Sequence, residues 1–232
     1  MVKIDQLETN GWNAAIKGMR NPLNSWNKSD SYWDYPEYPD RFILGANDLD
    51  LACRLIKAGP EHRKFLRMIH IQMDITGPLY WWKEMDTYKV ATVANSCSTM
   101  HKIHAKEFTL DDFSHEHLGV WSNNGDIHSG MLGVLEKVIT ELNYCRNRYL
   151  ETKDKNWWWQ MIQLLPTSYN QKRTWDGNLE TVLSILHQRN HHKLDTDWEP
   201  FRQYCFENIP YCKEFYNALY EKYEKGDENA TS

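Results

Sequence analysis

The sequence predicts an α+β fold, a helix-rich single domain with a small central β-sheet. Three observations predict it. Apolar residues recur at helical spacing in long windows, as with Leu135, Val138, Ile139, Leu142 and Tyr149 within 132–150. One window alternates instead: Ile69, Ile71, Met73 and Ile75 take one face and His70, Gln72, Asp74 and Thr76 the other, the period of a half-buried strand. The chain of 232 residues is long enough for a sizeable core, and no Gly-, Pro- or Ser-rich linker or internal repeat divides it.

Residues 1–47 read as an irregular N-terminal extension packed on the domain. Within it, 19–40 is dense in Asn, Asp, Ser, Pro and aromatics with no sustained period, yet holds too many large rings for a disordered segment. The domain proper spans 48–224. It opens with a helix over 48–58, where Leu49, Leu51, Ala52, Leu55 and Ile56 share a face until Gly59 and Pro60 stop it. The alternating strand over 68–76 follows, and Pro78 suits the first turn of the next helix because its φ is already fixed there. Further helices are expected over 132–150, 157–165 (ended by Pro166), 178–190, 195–207 and 211–222. Residues 225–232, ending in GDENATS, read as a solvated tail.

Composition excludes several classes. A net charge of −5 argues against a broad basic surface for duplex nucleic acid, so any nucleotide contact should be local. No window approaches the roughly 18 consecutive apolar residues of a membrane span, and the N-terminus lacks the apolar core of a signal peptide. The five cysteines are an odd number without a CxxC pair, which points to reduced thiols and a cytoplasmic location. The 11 Trp and 13 Tyr are chiefly core and interface filler, but Tyr80, Trp81 and Trp82 flank a polar cluster where a ring could stack on a flat ligand. His187, His191 and His192, and separately Cys97, His101 and His104, have metal-like spacing, but neither set has the HExxH form and no metal is expected. Neither GxGxxG, GxxxxGK[ST] nor GxSxG occurs, so a bound nucleotide must be held by side chains and helix termini.

Two stretches carry the chemistry. Residues 78–102 and 165–189 each read as helical runs interrupted by polar groups that a helix does not need. The first concentrates Lys83, Thr87, Lys89, Thr92, Asn95, Cys97, Ser98 and Thr99 beside three aromatic rings. The second ends in Arg189, one turn beyond the apolar Val182, Ile185 and Leu186, where a guanidinium fork at the core's rim can grip an anion or a carbonyl edge. Asn178 also suits the N-cap of that helix.

These residues resemble the flavin-dependent thymidylate synthase family. Its members carry a strand ending in a small residue and Pro, then a helix and the signature RHRxxSxNExSxRY. Later they carry LPxxxYTxxxWxxN and a helix bearing a catalytic arginine. Here Gly77-Pro78 ends the strand, and Thr87 stands at the first signature position. Leu165, Pro166, Trp175, Asn178 and Arg189 keep the family's spacing without a gap, and Trp198-Glu199 is similar to a Trp-Glu that follows the arginine. The likeness covers about residues 48–220, the size of one domain.

The resemblance implies that the protein binds FAD and a pyrimidine deoxynucleotide similar to dUMP, with reductive methylation of the base. NADPH and methylenetetrahydrofolate would be co-substrates, and the assembly a homotetramer. It places Arg189 as the catalytic group that polarises the uracil ring. Thr87, Tyr88, Lys89, Asn95 and Asn178 fall at cofactor-binding positions, and Lys83, Glu84, Cys97, Ser98, Thr99 and Arg189 at substrate-binding ones. The chain departs from the pattern where Arg-His-Arg reads Thr87-Tyr88-Lys89, Ser reads Cys97 and Arg-Tyr reads Thr99-Met100. In the family those arginines clamp phosphates, and a lysine offers only a point charge in their place. Lys83, Lys89, Lys172 and Arg173 could supply positive charge instead. Two alternatives stand beside this reading: a nucleotide-binding module that does not make thymidylate, and an enzyme modifying another pyrimidine nucleotide.

Overall fold

The computed structural model describes residues 1–35, 37–119, 121–123, 126–128 and 130–227. The chain begins with β1 (Lys3–Asn10) and α1 (Trp12–Arg20), then two 3-10 turns, Asn21–Leu23 and Trp26–Lys28. β2 (Tyr32–Asp34) and β3 (Tyr38–Ile43) form an antiparallel hairpin, followed by α2 (Ala46–Ala58). A 3-10 turn over Lys64–Met68 leads into β4 (His70–Pro78), α3 (Leu79–Met85), β5 (Thr92–Ser96) and the single turn α4 (Thr99–Lys102). A short antiparallel pair, β6 (Trp121–Asn123) and β7 (Asp126–His128), precedes α5 (Gly130–Thr152) and α6 (Lys155–Leu164). The chain closes with β8 (Asn170–Asn178), α7 (Leu179–Gln188), α8 (Asp195–Asn208) and α9 (Cys212–Asp227). The four-stranded sheet has the order β1-β4-β8-β5, which gives the helix-rich α+β architecture expected. No helix among the described residues is long and apolar enough to cross a membrane.

Four local expectations are corrected. Residues 1–47 are not irregular: they supply a sheet strand, a helix, two 3-10 turns and a hairpin. Residues 78–102 are helical only over α3 and α4, with β5 between them. The helix ends because the Thr87 hydroxyl donates to the Glu84 carbonyl at 2.7 Å, a local bond that competes with further helical pairing. Residues 165–189 likewise hold β8 before α7. Of the expected tail, 225–227 belong to α9, and 228–232 lie outside the described residues.

The chain divides into two compact, discontinuous units. The first comprises Met1–Lys3, Ile75–Thr87 and Ala94–Thr174. Its core joins Ile103, Phe108 and Phe113 to Leu135, Leu142 and Cys145 of α5 and Met161 of α6. The apolar stripe of α5 forms that face, and Asp154 starts α6 by accepting from the Asn156 N–H at 2.9 Å. Pro78 gives α3 no capping side chain, so the Tyr169 and Thr167 carbonyls accept from the Leu79 and Tyr80 N–H groups at 3.0 and 3.1 Å.

The second unit comprises Ile4–Asp74, Tyr88–Val93 and the chain from Trp175 onward. Its core gathers Trp12 and Ile16 of α1, Leu51 and Ile56 of α2, the inward face of α7, and Phe215 of α9. Gly11 starts α1 at φ 87°, and a Cβ there would lie 2.0 Å from the Met68 carbonyl oxygen, so only glycine fits. Asp48, fully buried, organises the segment before α2. Its Oδ1 accepts from Arg20 Nε at 2.5 Å, and its Oδ2 accepts from the Ser29 and Ser31 hydroxyls at 2.7 and 2.6 Å and from two backbone N–H groups. Burial opposes the charge, but the bonds from Ser31, Ser29 and Arg20 outweigh it and hold the carboxyl below its ordinary range.

Candidate functional site

In the second unit the site is built on α7. Asn178, buried at the end of β8, caps this helix through its Oδ1, which accepts from the Thr181 N–H at 3.0 Å. Val182, Leu183, Ile185 and Leu186 fix the helix by their burial, so the residue at its C-terminal end has a defined position. That residue is Arg189. Its N–H bonds the Ile185 carbonyl at 2.9 Å, and a cation there complements the negative end of the helix. Its Nε donates to the Tyr88 hydroxyl at 2.9 Å, while that hydroxyl donates to Gln188 Oε1 at 3.2 Å. The guanidinium also lies over two rings, 5.3 Å from the Tyr88 centroid and 5.0 Å from that of Trp198. A second guanidinium, that of the buried Arg202, bonds the Leu186 carbonyl at 2.9 Å. The fold thus joins Tyr88 to Arg189, while the neighbouring Lys89 is exposed.

In the first unit, Lys83 is exposed and Glu84 half-buried on α3, and Asn95 is exposed on β5. Cys97 follows β5 and is pinned by two bonds: its N–H to the Lys172 carbonyl at 2.9 Å, and the Gln171 amide to its carbonyl at 2.8 Å. Ser98 caps α4 by accepting from the His101 N–H at 3.0 Å, and Thr99 is the first residue of that turn. Cys97 and Ser98 line a cavity of ≈ 490 Å³. Lys83, Glu84, Thr87, Asn95 and Thr99 are not part of its lining. Sequence reasoning missed several groups that are: Lys3 from β1, Lys102 from α4, and Tyr169 and Gln171. Burial raises the Tyr169 phenol above its ordinary pKa, helped by the nearby Asp112 and Cys97.

Of the candidate cations, Lys172 lines the cavity and Arg173 does not. Arg173 lies with its guanidinium 4.2 Å from the Trp82 ring, bonding Gln171 Oε1 at 2.9 Å and Asp86 at 2.8 Å. Its fork is spent on the protein's own groups. Trp82 is itself buried, its indole N–H donating to the Gln171 carbonyl at 2.9 Å, so the rings at 81 and 82 are core.

The fold defines a class: the chain has the flavin-dependent thymidylate synthase fold. The crystal structure of Thymidylate Synthase X (ThyX) from Helicobacter pylori with FAD and dUMP matches with a TM-score of 0.65 at 15% identity, covering 94% of this chain and 99% of that one. A second ThyX structure from Helicobacter pylori, complexed with FAD and dUMP, gives 0.63 at 15% identity, over 93% of this chain and all of that one. The UMP/dUMP methylase PolB from Streptomyces cacaoi, bound with 5-Br UMP, gives 0.53 at 10% identity, over 83% of this chain and 79% of that one. No protein-family model and no curated protein matches the sequence.

Proposed function

We propose that the chain is a divergent ThyX-like protein that binds FAD and a pyrimidine deoxynucleotide. The observation that carries this reading is Arg189. On a fold shared over nearly the full length with ThyX, it stands at the end of α7, where the resemblance puts the polarising arginine, held by Tyr88 and flanked by Trp198. A guanidinium fixed in this way can meet charge that develops on a pyrimidine carbonyl without reorganising first. Reductive methylation of the base is the corresponding reaction. The flavin, when bound, supplies the reducing chemistry, with NADPH and methylenetetrahydrofolate as co-substrates and a cytoplasmic homotetramer as the working form.

The residues present fit a flavin loosely. Lys89 supplies one exposed charge and Asn95 one exposed amide, whereas the Thr87 hydroxyl is engaged by Glu84 and the Asn178 Oδ1 by its helix. No bidentate fork stands at the signature's first or third position, since these are Thr87 and Lys89. That observation favours a second reading, in which the scaffold binds or modifies a pyrimidine nucleotide other than dUMP. The neighbouring PolB is itself a UMP/dUMP methylase.

Flavin content tests the first reading. Purified protein is denatured and the supernatant spectrum recorded, and flavin-free protein is then titrated with FAD. Saturable binding in the micromolar range is expected. Failure to bind FAD at high micromolar concentration overturns the flavin reading.

A further inference from the structure

Glu8, near the end of β1, and Glu37, in the turn of the β2–β3 hairpin, line one cavity of ≈ 700 Å³ within the second unit. Neither carboxylate has a hydrogen-bonding or ion-pair partner among the described residues. The one cation among the described lining residues, Arg41, has its guanidinium 4.0 Å from the Asp34 carboxylate, so its charge is matched from outside the lining. Asn10 donates from its amide nitrogen to Gln72 at 3.2 Å, which leaves its side-chain carbonyl as an acceptor. The lining is therefore rich in acceptors and negative. A concave site of this kind concentrates cations by its field, the more so on a chain of net charge −5.

Aromatic rings supply much of the remaining surface. Trp33 and Phe42 are register partners across the hairpin, with ring centroids 5.1 Å apart and planes at 71°, and Trp33 is left 40% exposed. Trp12, also in the lining, is buried and fixed by its indole N–H, which donates to the Thr9 hydroxyl at 3.0 Å. The hairpin that carries Trp33, Glu37 and Phe42 is fastened at both feet. Before it, the Ser31 hydroxyl donates to the buried Asp48 at 2.6 Å; after it, the Leu44 N–H donates to the Tyr211 hydroxyl at 2.9 Å. A frame tied down in this way loses less freedom when a ligand enters. At ≈ 700 Å³ the cavity falls within the range of small-molecule sites. None of its described lining residues lies in the stretches 78–102 and 165–189.

We propose that this cavity binds a linear aliphatic polyamine. Two carboxylates without partners, carried by different elements, match two ammonium groups on one chain, and alkyl ammonium groups stay charged near neutral pH. The methylene segments between them lie on the exposed faces of Trp33 and Phe42, as the stem of a lysine lies along apolar surface while its head stays polar. An ammonium over a ring face gains further attraction from the π-system.

Calorimetric titrations of the full chain with spermidine, putrescine, choline and the uncharged 1,4-butanediol test it, alongside Glu8→Gln, Glu37→Gln and a control, Glu107→Gln. All three glutamates are exposed, Glu107 is outside the cavity lining, and matched melting curves establish that each variant is folded. The expected result is saturable binding of spermidine and putrescine, no binding of 1,4-butanediol, and a loss of about tenfold in spermidine affinity in Glu8→Gln and in Glu37→Gln but not in Glu107→Gln. An equal loss in all three variants makes the binding a general attraction to an acidic surface and overturns the proposal. So does binding that neither Glu8→Gln nor Glu37→Gln weakens. Binding of choline without binding of either amine refutes the polyamine as occupant, and binding of none of the three cations refutes the site.

Discussion

Replacing Tyr88 by Phe removes one oxygen atom and isolates what holds Arg189. That oxygen accepts from Arg189 Nε at 2.9 Å and donates to Gln188 at 3.2 Å. A hydrogen bond with one charged partner contributes about 1.5–3 kcal/mol, and half-burial puts this one at the lower end. The ring stays, so much of the attraction between the guanidinium and its face is kept. A loss of about 1.5 kcal/mol lowers the melting temperature by about 3–6 °C in a chain of this size. The same change frees Arg189 from one of its anchors, and nucleotide affinity should fall by about tenfold. Scanning calorimetry reads the first effect and titration with dUMP in the presence of FAD the second. A variant with wild-type melting and wild-type affinity refutes the claim that Tyr88 positions Arg189. A fall in melting temperature with unchanged affinity would make the contact structural only.

Asp48→Asn leaves the Arg20 guanidinium buried at 4% side-chain exposure with no counter-ion, a loss of about 3–5 kcal/mol that urea unfolding measures. Asp48 is held below its ordinary value of 3.8, so its contribution is fully present above that pH and is lost as pH falls through the lower folded value. Wild-type stability should therefore drop on acidification below about pH 4 more steeply than that of the variant. Complementation of a thymidine-requiring bacterium should be weak or absent, because Thr87, Lys89 and Thr99 stand where phosphate-clamping forks are expected. Robust growth that Arg189→Ala abolishes would show that the clamp has been rebuilt from other groups.

Sequence reading succeeded where inward positions are aliphatic. In β4 the inward residues Ile71, Met73 and Ile75 are all buried, and the strand is visible at once. In β8 the buried residues are Gln171, Trp175, Gly177 and Asn178, two of them polar and one without a side chain, so the same period is hidden. β5 and β1 are mostly exposed and earn their places through backbone pairing, which leaves no hydrophobic trace. The spacing from Asn178 to Arg189 was legible because one helix spans it. The bond from Arg189 to Tyr88 joins residues 101 positions apart, and the lysines of the cavity are scattered from 3 to 172. Only tertiary structure brings such groups together.

The burial of the cysteines makes Cys97 a natural reporter. Burial raises the thiols of Cys53, Cys145 and Cys205 and pushes Cys212 up to about 12, which starves each of the thiolate that reacts. Cys97 is the one exposed thiol of the five, and it stands in the lining of the lysine-rich cavity. A maleimide dye would therefore settle first at this wall without any engineered residue. Its brightness, or simply its rate of attachment, would register occupancy of the neighbouring space in real time.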